Sequence, residues 1–428
     1  MNRLQSCNAA LRQLAGTHLA RLAHEEVLAE QAVAEALLKG TMVLLGNPAH
    51  QNLAPILVGQ PARVKINANI GTSALCNSPC REMQKLSAAL SAGADTVMDL
   101  SVAGDLRSIR QDMLAACPRP LGTVPLYAVA QRYIDAGRDP ARFSAQELFE
   151  EIEAQAEQGV DYMTVHCGIT SRAAAWARES GGRVLGIVSR GGAILARWMR
   201  DNNKENPLLE DYASLLRIAA RHNVTLSLGD ALRPGAGADA GDAAQWAEVI
   251  TLGRLAAEAL QNGVQSMIEG PGHVPMQEVS AQVQGIKKLA RGAPLYVLGP
   301  LVIDSSPGYD HIAGAIGGAL AVQAGADFLC YLTPAEHLTL PEASDVVAGV
   351  MASRIAAQAG EIALGRPQAL QRERAMSEAR QKLDWPMMQA AALDPAMVDL
   401  RRGEHGKEEA CAMCGEFCAV KMLRPYAE

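Results

Sequence analysis

The stretch Leu86-Ser-Ala-Ala-Leu-Ser-Ala-Gly93-Ala-Asp95-Thr-Val-Met98-Asp99-Leu-Ser101 contains the unit from which most of the chain is built. An Ala/Leu-rich segment without proline reads as a helix. Gly93 ends it, because glycine takes the left-handed C-cap without steric cost. A short apolar run follows as a strand and gives way to polar residues at Asp99 and Ser101. The same junction recurs as Gly159-Val-Asp161, Gly263-Val-Gln265 and Gly325-Ala-Asp327. Working outward, apolar runs fall at Val64–Ile70, Thr96–Leu100, Gly122–Tyr127, Tyr162–His166, Val184–Val188, Val224–Leu228, Gln265–Glu269, Leu295–Leu298 and Phe328–Tyr331. Continuous apolar strands alternating with helices describe a parallel sheet covered on both faces. Nine runs for eight staves predict an α/β fold, a (βα)8 TIM-type barrel with one run surplus. An open doubly wound sheet is the rival, disfavoured because no G-x-G-x-x-G follows the first strand.

Around this core, residues 8–39 read as one or two helices closed by Gly40, with a short strand at Met42–Leu45. Residues 341–360 and 367–396 read as helices broken at Pro386 and Pro395, and 400–410 as a charged linker. The expected organisation is a helical N-terminal segment (1–62), a catalytic barrel (63–340), a helical extension (341–400) and a cysteine tail (401–428).

The bulk properties exclude several classes. An apolar content of 49% supplies a large core, and the low aromatic content of 4% suits an Ala/Leu/Val/Ile interior. The net charge of −7 argues against a nucleic-acid partner, which needs a basic surface. No apolar run approaches the ~20 residues that cross a bilayer, and Met1–Cys7 opens no signal core. A cytoplasmic protein with reduced thiols and no membrane partner is expected.

Strand ends of a (βα)8 barrel carry its chemistry, and here they are polar. They read Asn67-Ala-Asn69, Met98-Asp99, Tyr127, His166-Cys-Gly, Ser189-Arg190-Gly191-Gly192, Asp230-Ala-Leu-Arg233, Glu269-Gly-Pro-Gly-His273, and Glu336-His337. Any single one of these is more simply a helix cap, but their convergence on one face is not explained that way. Ser189-Arg190-Gly191-Gly192 offers a hydroxyl, a guanidinium and free amides, and Arg233 adds a second cation, a set suited to phosphate. His166 is a candidate acid or base near neutral pH. His273 and His337, each following a carboxylate (Glu269, Glu336), suggest a metal site, with His311 as a rival ligand. In the tail, Cys411-Ala-Met-Cys414-Gly-Glu-Phe-Cys418 places three thiols within eight residues. They suit an iron–sulfur cluster with one open iron, or a structural zinc with His405 as fourth ligand.

Taken together, Asn-Ala-Asn-Ile-Gly-Thr-Ser, Met-Asp-Leu-Ser, His-Cys-Gly, Ser-Arg-Gly-Gly, Leu-Arg-Pro-Gly, Glu-Gly-Pro-Gly-His-Val-Pro, Pro-Gly-Tyr-Asp-His-Ile, Thr-Pro-Ala-Glu-His-Leu and Cys-x-Met-Cys-Gly resemble the ThiC/BzaF family of atypical radical S-adenosylmethionine (SAM) enzymes over residues 63–420. The resemblance implies 5-aminoimidazole ribotide as substrate. It implies contacts from Asn69, Met98, Tyr127, His166, Ser189, Arg190, Gly191, Asp230, Arg233, Glu269 and Tyr296, with His166 and Glu269 catalytic. It also implies zinc or iron at His273 and His337, and a [4Fe-4S] cluster on Cys411, Cys414 and Cys418 that cleaves SAM to a 5′-deoxyadenosyl radical. Further implied are a homodimer with swapped cluster tails and a flavodoxin- or ferredoxin-type electron donor. Two products occur in the family, the thiamin pyrimidine and 5-hydroxybenzimidazole for cobamides. Both are products of carbon–carbon lyase chemistry. Val102, Ala231 and a Cys414–Cys418 gap one residue shorter than in the long bacterial form depart from the pyrimidine pattern. On those departures the benzimidazole product is expected. A metal-dependent lyase or aldolase barrel with a zinc-bound interaction tail is the alternative from another class.

Overall fold

A computed structural model describes residues 8–178 and 182–423. The opening heptapeptide, in which no signal core was read, lies outside the described residues. Helices Ala9–Glu25 and Glu30–Lys39 come first, the second ended by left-handed Gly40 (φ 71°). Strands β1 (Val43–Leu45) and β2 (Ile56–Val58) then pair antiparallel. Eight parallel strands follow: β3 (Lys65–Ile70), β4 (Thr96–Asp99), β5 (Leu121–Thr123), β6 (Tyr162–Val165), β7 (Thr225–Leu228), β8 (Ser266–Glu269), β9 (Leu295–Leu298) and β10 (Phe328–Cys330). They close into a barrel in sequence order, with β10 returning to β3 through Cys330 opposite Asn67. The expected (βα)8 fold is observed.

The surplus run is Val184–Val188. It forms no strand, and Val184 stands 72% exposed. Its composition is strand-like, but a buried stave needs apolar contacts on both faces, and this segment has solvent on one side. The third run is also shorter than its composition suggests. Pro125 lacks the N–H a ladder requires, and instead begins the helix Pro125–Asp135. Pro386 and Pro395 likewise lie in the first turns of helices Trp385–Ala391 and Pro395–Arg402, whose N-caps are the side chains of Asp384 and Asp394. The two prolines therefore start helices rather than break one.

The repeated Gly-x-Asp junctions form the foot of the barrel. Gly93, Gly159 and Gly325 adopt left-handed C-caps (φ 94°, 108° and 119°). The acid two residues later reaches back to the preceding stave. Asp95 accepts from the Ile66 amide (2.9 Å), Asp161 from Leu121 (2.7 Å) and Asp327 from Leu295 (2.7 Å). Higher in the barrel the interior is polar. Asn67 Nδ2 donates to the Tyr296 hydroxyl (2.7 Å), and the Tyr162 hydroxyl donates to Asn67 Oδ1 (2.8 Å). The Tyr162 ring crosses the axis only because β5 offers Gly122 opposite it, where an added Cβ would fall 2.3 Å from Cζ.

The chain divides into two compact units, one up to Ala357 and one from Gln358 onward. The helix Ala343–Ala363 spans that boundary. In the second unit, Trp385 Nε1 donates to the carbonyl of Glu409 (2.8 Å) and the Arg402 guanidinium stacks 3.7 Å over the Trp385 ring. The charged 400–410 stretch is thereby tied to its own helices. Among the described residues no helix is long and apolar enough to cross a membrane.

Replacing Gly122 by alanine is expected to destabilise the protein by about 2–3 kcal/mol, since the Tyr162 ring is fully enclosed and has no free rotamer to retreat to. A chemical denaturation midpoint unchanged from that of the wild type would contradict this packing account.

Candidate active site

The C-terminal mouth of the barrel holds a cavity of about 530 Å³. Asn69, Met98, Tyr127, His166, Asp230, Arg233, Glu269 and Tyr296 line it, together with Thr164 and Cys330. Strand register explains the assembly. Asn69 pairs with Met98 across β3 and β4, and Glu269 pairs with Tyr296 across β8 and β9, so side chains far apart in sequence share one layer. The remaining three expected contacts come from the helix Arg190–Asn202. Ser189 is its N-cap and accepts from the Gly192 amide (3.2 Å). Arg190 lies 4.7 Å over the Tyr127 ring. Gly191 has no side chain because the His166 ring occupies that space, 2.3 Å from where a Cβ would be.

Burial sets the charge state of this pocket. Asp230 is pushed well above the usual carboxylate range by burial, and nearby Glu269 and Glu248 add like-charge repulsion against the opposing attraction of Arg233. Arg233 Nη1 donates to Asp230 Oδ1 at 3.2 Å. Glu269 is also raised by burial, while the hydroxyls of Thr164 and Ser227 each donate to its Oε1 at 2.7 Å. His166 is 3% exposed, its Nδ1 has no partner, and burial together with the Arg233 charge lowers it to about 3. A residue titrating near neutral pH was expected at His166, but desolvation overrides the ordinary imidazole value. Burial thus favours the neutral ring.

A second cavity of about 820 Å³ shares Asn69, Leu100 and Leu298 with the first and reaches Arg190, Glu336 and His337. The His273 and His337 rings stand 5.3 Å apart. Their preceding carboxylates are not their partners. His273 Nδ1 bonds Asp304 (2.7 Å) and His337 Nδ1 bonds Asp310 (3.0 Å). A carboxylate on each Nδ1 fixes the tautomer that leaves the Nε2 lone pair for a metal. Asp304 sits in the loop after β9 and Asp310 opens the helix Asp310–Ala324, and nothing in their spacing pointed to this role. His311 lies beside Asp310, and its own Nδ1 has no partner in the structure.

In the second unit, Cys411, Cys414 and Cys418 are free thiols. The Cys411 carbonyl accepts the amides of Cys414 (3.2 Å) and Gly415 (3.0 Å), which curls the segment into a tight turn. Hydrogen bonds from the backbone and side chain of Cys414 lower the Cys411 thiol and favour its thiolate. Cys411 and Cys414 share this turn and Cys418 follows at the next, where its amide bonds the Gly415 carbonyl (3.2 Å). Three soft donors in eight residues, one already biased to the ligand form, suit by their chemistry a thiolate-bound iron–sulfur cluster.

A closed parallel barrel with a polar pocket at its C-terminal mouth, in a chain that also carries three clustered thiols, is the arrangement of a barrel enzyme equipped for a soft metal centre. The chain belongs to the radical SAM ThiC family, whose pattern matches residues 5–425. Membership implies S-adenosylmethionine and an iron–sulfur cluster as cofactors. Similar proteins include the phosphomethylpyrimidine synthase of Desulfotalea psychrophila, 49% identical over 90% of this chain and 89% of that one. Those of Methanopyrus kandleri and Moorella thermoacetica are 47% and 48% identical, over 95% and 94% of this chain and 96% and 94% of theirs. All three carry the name of the pyrimidine product, whereas the sequence departures led to an expectation of benzimidazole.

His166 gives a pH signature. An unfolded histidine takes up its proton near 6.5, whereas His166 resists protonation until about 3. The unfolded chain binds that proton more strongly throughout this window, so stability is lost as pH falls through it, by up to about 1.4 kcal/mol per pH unit. Unfolding free energies of wild type and His166→Gln should therefore converge as pH drops from about 6.5 to about 4. A constant gap between the two would refute a neutral, enclosed His166.

Proposed function

We propose that this chain is a phosphomethylpyrimidine synthase. It would convert 5-aminoimidazole ribotide to the phosphorylated pyrimidine of thiamin by radical carbon–carbon lyase chemistry. The reading is carried by one observation: eight of the eleven expected substrate residues surround one cavity in a chain 47–49% identical, over nearly its whole length, to three proteins of that name. The sequence departures weigh less than their positions suggested. Ala231 is fully buried, and its methyl packs beneath Gly192 instead of lining the cavity. Val102 lines the second cavity and not the first. The benzimidazole assignment thus loses its physical basis at one of these two positions and is weakened at the other.

The residues divide the work by charge. Arg190, Arg233 and the N-terminus of the helix Arg190–Asn202 suit the phosphate. Asn69, neutral His166 and Tyr296 offer donors and acceptors to the sugar and ring. Asp230 and Glu269, with raised proton affinity, can hold or release a proton at the aminoimidazole, which makes Glu269 the preferred proton-handling group, while His166 would act in catalysis as a neutral hydrogen-bond partner of the reacting ring. Met98, Leu100, Val124 and Leu298 supply an apolar wall that excludes water from a radical intermediate. A [4Fe-4S] cluster on Cys411, Cys414 and Cys418 supplies, when bound, the electron for reductive cleavage of SAM. His273 and His337 would hold zinc or iron. The domain scheme of helical segment (1–62), barrel (63–340), extension (341–400) and cluster tail (401–428), a cytoplasmic homodimer with swapped tails, and a flavodoxin- or ferredoxin-type donor complete the reading.

The reconstituted enzyme, reduced anaerobically with SAM and 5-aminoimidazole ribotide, should yield 5′-deoxyadenosine and a phosphorylated pyrimidine identified by mass. A fluorescent hydroxybenzimidazole in its place would reverse the product assignment. Cys414→Ala should remove the brown chromophore and all 5′-deoxyadenosine, and turnover persisting without the cluster would point to the metal-dependent lyase alternative. At the histidine site, Asp304→Ala should weaken metal retention by about 10- to 100-fold in a chelator competition, because it frees the His273 ring. Unchanged metal content would remove Asp304 from the site.

A further inference from the structure

The run Val184–Val188 has no place in the sheet, yet the residue just before it is tightly held. The Arg183 side chain is 1% exposed although the two residues after it stand in solvent. Its Nε and Nη2 donate to the two carboxylate oxygens of Asp242, each at 2.8 Å. Nη2 also donates to the Leu232 carbonyl (2.5 Å), and Nη1 to the carbonyls of Arg233 (3.2 Å) and Gly186 (3.3 Å). From the opposite side, Glu248 Oε2 accepts the Leu232 amide at 2.6 Å, and the Ala231 amide also acts on this carboxyl. Glu248 is 2% exposed. Asp242 is the N-cap of the helix Ala243–Gln261, and Glu248 lies on that helix.

The backbone between Asp230 and Arg233 is therefore clamped on both edges. A carboxylate takes its amides and a guanidinium takes its carbonyls, both referred to one helix. The two residues that the clamped segment presents to the cavity are its charged pair, Asp230 and Arg233. Only an arginine fork reaches a bidentate carboxylate and several carbonyls at once. The segment that supplies Arg183 ends at Ser189 and Arg190, so the clamp also fixes one cationic loop relative to the other.

We propose that Arg183 and Glu248 are positioning residues that hold Asp230 and Arg233 in register for the anionic substrate. The inference rests on the proposed reading of aminoimidazole ribotide as ligand. Neither residue lines the cavity, so both act through the loop. A displacement of about 1 Å at such a contact costs up to about 100-fold.

The test is a double-mutant cycle on the anaerobically reconstituted full chain, reading the dissociation constant of 5-aminoimidazole ribotide by calorimetry, with melting temperature as a folding control. Arg183→Ala and Arg233→Ala should each weaken binding about tenfold or more. The double variant should lose clearly less than the sum of the two single losses, because with Arg233 gone the clamp is left with Asp230 alone to position. Additive losses would overturn the proposal, since they would mean that Arg183 acts independently of Arg233. Arg183→Lys should recover less than half of the logarithmic loss, and full recovery would overturn the role of the fork. Glu248→Gln, which keeps an oxygen for the Leu232 amide, should retain more affinity than Glu248→Leu; equal losses with equal melting temperatures would remove Glu248 from the clamp. Failure of the wild type to bind would overturn the substrate reading itself, and the clamp's purpose with it, whereas a wild type that binds beside an Arg183→Ala variant of undiminished affinity overturns the clamp alone.

Discussion

The barrel depends on buried carboxylates at its foot. Asp95, Asp161 and Asp327 each spend their oxygens on an amide at the start of the neighbouring stave and on a second element. Asp161 binds the Asn47 amide and the His50 ring as well (both 2.8 Å). Asp327 binds the Gln60 amide and the Lys287 ammonium (both 2.7 Å), and Arg63 pairs with Asp95. Gln265 fills the equivalent place on β8 and takes the Leu44 amide at 2.7 Å. Every second stave, β4, β6, β8 and β10, carries such a group. Each also draws in the segment preceding the barrel, so the helical segment and the β1–β2 hairpin seal the foot. A group of this kind is stable in the interior only when its hydrogen bonds are filled.

With the foot tied, the staves hold their register, and register determines the mouth. Asn69 beside Met98 and Glu269 beside Tyr296 are consequences of which residues pair. A one-residue slip would turn each of them away from the axis. The mouth is then enclosed enough to suppress ionisation. His166 is kept neutral, and Asp230 and Glu269 bind protons more tightly than exposed acids do. Arg233 is retained as a charge because Asp230 lies beside it. Such a pocket is suited to a substrate that brings its own anion and its own protonatable ring, and to chemistry that bulk water would quench.

The strand rhythm, the glycine caps and the polar strand ends were legible because each is a local rule, and the structure brings eight of the eleven expected contact residues to one cavity. Val184–Val188 misled because β-branched composition does not reveal whether a sheet has room for the segment. The histidine pair was legible, but its Asp304 and Asp310 partners were not, since they lie 31 and 27 residues away in sequence. Arg183 and Glu248 carried no signal at all. A residue that works through backbone groups leaves no motif.

The sequence by itself determined the repeating unit, the fold class, the three-thiol turn and the kind of chemistry at the strand ends, because periodicity, caps and donor types act over a few residues. Only the tertiary structure decided which run is no strand, which carboxylates serve the histidines, and that His166 is uncharged. It also decided that Ala231 is buried behind the cavity rather than lining it. These outcomes rest on burial and on contacts between elements distant in sequence, and desolvation is a property of the assembled pocket rather than of any residue in it.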